Sequence, residues 1–183
     1  MRTSKIKIIT LCALFAALSA VGAFIKIPFP LLPFTMQTFF VALAGLLLGK
    51  KYGFISIICY LVLGLVGFPV FTKGGGPSYI FQPSFGYIIG FALSAYVIGA
   101  YCEKKQNPAF KTYFIGCILG LCAVYAVGLA YYYIICNYVI NTPIAVGPLF
   151  LYCFLMTLPS DIMWALVASS IINRLKKAVK IDL

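Results

Sequence analysis

The 183-residue chain has no histidine, one tryptophan and only three acidic residues. The absence of histidine removes the commonest metal ligand and the usual proton carrier near neutral pH. So few carboxylates leave no paired acids for general acid–base work, which argues against an enzyme. Charged residues are 9% of the sequence, against about 25% in soluble domains, so no stretch can supply a soluble domain's polar surface. No internal repeat recurs at a fixed period, which weighs against the large transporter folds built from inverted repeats.

What is present is apolar, with 63% hydrophobic residues. We expect an all-α integral membrane protein forming one transmembrane domain over 1–183. A bilayer-crossing helix needs about 20 apolar residues. Six candidates follow: Ile6–Ile25, Phe34–Gly49, Tyr52–Phe71, Phe85–Cys102, Thr112–Cys136 and Leu158–Lys177. The first begins after a basic start like a signal peptide's, but it runs on without a clear cleavage site and is expected to be retained.

The net charge of +11 is placed as topology, not as a nucleic-acid surface. With the N-terminus inside, Arg2, Lys5, Lys7, Lys50, Lys51, Lys104, Lys105, Lys111, Arg174, Lys176, Lys177 and Lys180 all fall on one side. Lys26 and Lys73 fall on the other. That asymmetry requires an even number of spans and predicts both termini in the cytoplasm. The seven cysteines are scattered and odd in number, fitting small apolar filler rather than a disulfide or metal framework.

The outer connections carry the unusual sequence. Lys26–Pro33 holds three prolines and is expected to be extended. Thr72–Pro83 combines a flexible glycine triplet with Tyr79 and Gln82. Asn137–Thr157 is too apolar for an open loop and predicts a short helix over Leu149–Met156, lying in or dipping into the outer interface. Elaborate outer loops above a plain basic inner face suggest a pocket that opens outward.

Asp161 is the only acid within a membrane-depth segment. A carboxylate there costs roughly 2.5–3.5 kcal/mol on insertion scales and is a functional suspect by default. Pro159 and Asp161 also suit a first helical turn, so capping is the competing explanation. Thr35, Gln37, Thr38, Gln82 and Ser84 belong near the same leaflet, where polar groups must bond one another or a ligand. Tyr125 and Tyr132 share a helix face with Gly128 and can wall an apolar cavity, while the other nearby tyrosines suit an interfacial belt. Trp164, one turn after Asp161, is a flat wall for a ring or an interface anchor.

Small residues four apart recur at Gly45/Gly49, Gly86/Gly90 and Gly116/Gly120, as in close helix packing. The overlapping pairs Ala13/Ala17 and Ala16/Ala20 make a smooth face on the first span, suited to a partner membrane protein. Gly45–Lys50 is one residue too short for a phosphate loop and has Lys51 in place of Ser or Thr, so the chain should not bind ATP itself.

Several of these runs, in order, resemble the BioY family of substrate-binding S components of energy-coupling factor (ECF) vitamin importers. The runs are Pro33-Phe34-Thr35-Met36-Gln37-Thr38, Leu43–Gly49, Leu63–Phe71 with Gly74–Gly76, Gly86–Phe91 and Leu158-Pro159-Ser160-Asp161. The resemblance implies a six-helix S-component fold in a prokaryotic plasma membrane, with no cofactor and biotin as transported ligand. It implies partners too: a transmembrane scaffold subunit, docked on Ala13 and Ala17, and a pair of cytoplasmic ATPases. It implies ligand contacts by Asp161, with Tyr87 in a matching motif. The family's last-helix motif carries, three residues after the Asp, a lysine for the ligand carboxylate; this chain has Trp164 there. Lys73 or a backbone donor then meets the carboxylate, or the ligand is a related vitamin or precursor, lipoate-like or dethiobiotin-like.

Overall fold

A computed structural model describes residues 2–27, 34–106 and 108–179. The helices are α1 (Arg2–Phe24), α2 (Gln37–Val66), α3 (Phe85–Glu103), α4 (Phe110–Ile134), α5 (Val146–Phe150) and α6 (Leu158–Val179). Their sequences are apolar nearly all round. That is expected where lipid covers one side and protein the other, because a helix satisfies all its backbone groups internally. Two residue pairs form a short antiparallel ladder, β1 (Lys26–Ile27) with β2 (Phe34–Thr35). The extended segment expected between them, with its three prolines, lies outside the described residues.

Five helical stretches are long and apolar enough to cross a bilayer: Lys5–Phe24, Gln37–Val66, Phe85–Glu103, Phe110–Val139 and Val146–Val179. The sequence suggested six, and the difference lies in α2. Its 30 residues are broken at Gly49, where φ is 74° and ψ −175°. Beyond the break the chain folds back. The Gln37 amide donates to the Tyr60 hydroxyl at 2.8 Å, whereas 23 residues of straight helix would separate them by about 35 Å. The expected second and third spans therefore correspond to two arms of one broken helix.

Glycine is required at the bend by its backbone conformation, which is essentially closed to other residues; a Cβ there would also displace the end of the Glu103 side chain, 2.3 Å away. Glu103 holds the turn by accepting from the Lys50 backbone N–H at 2.8 Å. Gly49→Ala is expected to cost about 1–3 kcal/mol, read as a lower thermal midpoint of the purified protein in lipid nanodiscs.

The small-residue pairs serve contacts within the fold. A Cβ at Gly45 would meet Ala95 O at 2.7 Å, and one at Gly90 would meet the Val124 backbone at 2.9 Å. These contacts bring α2 onto α3 and α3 onto α4. The core is continuous across α2, α3, α4 and α6, with Leu48, Ile57, Ile98 and Ile172 almost fully buried. The last connection holds more helix than a single interfacial piece. Val146–Phe150 continues into a wide π turn over Leu151–Leu155, just before α6.

Candidate functional site

Where α2, α3, α4 and α6 converge at the end of the fold that carries the long loops, they line a cavity of about 50 Å³. Thr35, Gln37, Thr38, Tyr79, Ser84, Tyr87, Tyr125 and Asp161 line it, so eight of the sequence-selected residues meet in one place.

Asp161 sits in the first turn of α6. The Tyr125 hydroxyl from α4 donates to Asp161 Oδ2. That hydroxyl also lies 3.0 Å from Thr157 Oγ1, whose own proton has the Cys153 and Phe154 carbonyls within 3.2 and 3.1 Å. Thr38 from α2 faces the same carboxylate. Among the described residues, no lysine or arginine lines the cavity. The carboxylate is thus met by neutral hydroxyls, which leaves its charge uncompensated and part of its accepting capacity open.

The walls are aromatic and locked. Tyr87 lies over Gly128, where a Cβ would come within 2.6 Å of its ring, and its hydroxyl donates to Cys153 O at 3.0 Å. Tyr87 and Tyr125 meet edge-on with ring centroids 6.4 Å apart. Gln37 is held by Tyr60, which in turn donates to Val70 O at 3.2 Å. Such supports fix the orientation of polar groups before a ligand arrives.

The loop after α2 closes one side. Gly74 and Gly76 take φ of 113° and 106°, and the Gly76 N–H donates to Gly64 O at 2.7 Å. The glycine triplet therefore serves to fold the loop tightly back on α2. This brings Tyr79, 4% exposed, against Phe71 with centroids 4.5 Å apart, and its hydroxyl to 3.0 Å from Thr72 Oγ1. Lys26 donates to Thr72 O at 2.7 Å, placing a cation behind a cavity residue.

Four selected residues stand apart from the lining. Trp164 packs on Phe39, ring centroids 5.5 Å apart. Lys73 is exposed, and Gln82 belongs to the turn leading into α3. Tyr132 is buried in the core rather than at the cavity.

The structure adds Phe34, Thr72, Phe91 and Thr157 to the lining. Thr157 is four residues before Asp161, the spacing of one helix face, but Pro159 between them reads as a helix start and hides that register. Ser84 also lines the cavity, and its hydroxyl is the one buried side-chain polar atom without a partner among the described residues. An orphaned buried hydroxyl costs about 1–3 kcal/mol.

On α1, Ala13 and Ala17 are exposed, Ala20 is half-buried and Ala16 is buried. The four line a separate apolar groove with Ile55, Cys59 and Leu63.

Comparison with known proteins yields a consistent set of likenesses. The model of the BioY family matches residues 1–181. The chain is 45% identical over 172 residues to "Probable biotin transporter BioY" of Lysinibacillus sphaericus, covering 94% of this chain and 88% of that protein. It is 40% identical over 167 residues to the biotin transporter BioY of Thermotoga maritima, covering 90% and 92%. Among solved structures, the S-component for biotin from an ECF-type ABC transporter superposes with a TM-score of 0.81 at 30% identity. That match covers 97% of this chain and 94% of the other.

Proposed function

Because the chain belongs to the BioY family, we propose that it is the membrane subunit that captures biotin for ATP-driven uptake through an ECF transporter. In this reading it is a multi-pass transmembrane unit of a prokaryotic plasma membrane. Counting the two arms of α2 separately gives six spans, with both termini cytoplasmic and the cavity at the outer leaflet. Energy comes from a separate scaffold subunit and a pair of ATPases, and no chemistry is done on the cargo.

The observation that carries the reading is Asp161, a carboxylate set among neutral hydroxyls in an aromatic cavity. Biotin's ureido group offers two N–H donors to such an acceptor. A hydrogen bond to an ionised group in a dry site is roughly twice as strong as a neutral one. Tyr87 and Tyr125 flank the fused rings. Ser84 lies on a different element from Asp161, so its free hydroxyl suits another polar group of the same ligand. With tryptophan at position 164, the hydroxyls of Thr72, Tyr79 and Ser84, backed by Lys26, meet the valerate carboxylate.

Equilibrium binding of labelled biotin to the purified protein is expected to be saturable, and to resist competition by lipoate or dethiobiotin. Absence of saturable biotin binding, with tight binding of another vitamin, would transfer the same architecture to that ligand. Ser84→Ala is expected to weaken biotin binding about fivefold, the worth of one net hydrogen bond. The ligand-free protein should melt no lower, since the hydroxyl has no protein partner to lose. Equal affinity in that variant would remove Ser84 from the contact set.

A further inference from the structure

A further cleft, of about 530 Å³, lies at the far end of α3 from the cavity. Nineteen helical residues, about 28 Å, separate the two. Its rim is formed by Lys50 and Lys51 from the α2 bend, Lys105 beyond α3 and Lys176 near the end of α6. Leu46, Leu47 and Leu48 lie beneath it, buried in the core. Among the described residues Glu103 is the one carboxylate in the lining, and both its oxygens are engaged by Lys50. Oε1 takes the backbone N–H at 2.8 Å, and Oε2 lies 3.3 Å from the ammonium. Three positive charges remain around the opening.

Those three lysines share a mode of support. The Lys51 ammonium lies 5.7 Å from the Tyr52 ring centroid, Lys105 5.7 Å from that of Tyr101, and Lys176 4.9 Å from that of Tyr113. Three separate stretches of chain thus direct ring-backed cations at one opening, while Lys111 and Lys177 stand outside it.

We infer that this cleft binds the phosphate of an anionic phospholipid headgroup. The lysines sit where apolar helices end, the depth at which a surrounding bilayer presents its phosphates. A basic pocket between span ends is the recognised form of such a site. A lipid phosphate is held at that depth by the bilayer itself, whereas a free anion is not.

The test is native mass spectrometry of the whole protein, released from nanodiscs holding equal phosphatidylglycerol and phosphatidylcholine. Phosphatidylglycerol should be retained preferentially. Lys51→Gln with Lys105→Gln should reduce that retention roughly tenfold to thirtyfold, leaving biotin affinity unchanged. Lys111→Gln with Lys177→Gln makes the same change of net charge outside the cleft and should preserve retention. Equal retention of the two lipids, or an equal loss in both double variants, overturns the inference. Displacement of the lipid by millimolar glycerol 3-phosphate would reassign the cleft to a soluble anion. Undiminished lipid retention in the cleft variant, with loss of copurifying scaffold and ATPases, would reassign it to a protein partner. Because the readout is lipid mass, it stands whether or not the cavity holds biotin.

Discussion

Asp161→Asn is expected to lower biotin affinity on the order of a hundredfold, in titrations of purified protein with labelled ligand. The carboxylate offers two acceptor oxygens, and Tyr125 occupies only part of Oδ2. Asparagine keeps one acceptor and turns two N–H donors toward a ligand edge that itself donates. The variant therefore loses a charge-assisted bond and gains a donor-to-donor clash. Stability should respond differently. Removing an uncompensated charge from an apolar setting costs the ligand-free fold nothing and can stabilise it. The thermal midpoint without biotin should hold or rise, while the ligand-induced shift, about 2.7 kcal/mol at a hundred times Kd for the parent protein, should fall to about 0.4 kcal/mol at the same biotin concentration. Unchanged affinity would return Asp161 to its other role, an acid favoured in the first turn of α6 by the helix dipole.

Much of this site was legible because membrane sequences tolerate few polar residues. Thr35, Gln37 and Asp161 stand out against apolar surroundings, and each lines the cavity. The bend at Gly49 was legible for the same reason: Lys50 and Lys51 interrupt an apolar run, which ended the expected second span at that residue. That the interruption would leave one merged helix with a single non-helical residue was not readable from composition, since only φ and ψ record it.

Other residues went elsewhere for geometric reasons. Trp164 follows Asp161 by three residues, about 300° of helical rotation, so the two side chains point some 60° apart. That angle is enough to send the indole to Phe39. Thr72 and Lys73 are the two central residues of a tight turn closed by the Phe71–Gly74 pair; the threonine lines the cavity and the lysine is exposed. The glycine pairs, for which the sequence favoured packing within the bundle over partner docking, meet other helices of the same chain.

The alanine face of α1 is where those alternatives separate. Ala13 and Ala17 are exposed on an open apolar groove, whereas Ala16, 5% exposed, packs with Tyr60, Phe71 and Tyr79 beside the cavity. Leucine at both Ala13 and Ala17 should therefore leave biotin affinity and the thermal midpoint unchanged. In vesicles that also hold the scaffold and ATPase subunits, it should cut ATP-driven biotin uptake by tenfold or more. Overpacking a close helix interface costs about 1–3 kcal/mol per site, which at two sites weakens association by at least that factor. Ala16→Leu should behave in the opposite way, lowering stability and biotin affinity together, because Ala16 is buried in the cluster that contains Tyr79. Uptake that survives the Ala13 and Ala17 substitutions would move the docking surface off α1. Loss of binding in that double variant would instead show that the groove is part of the protein's own core.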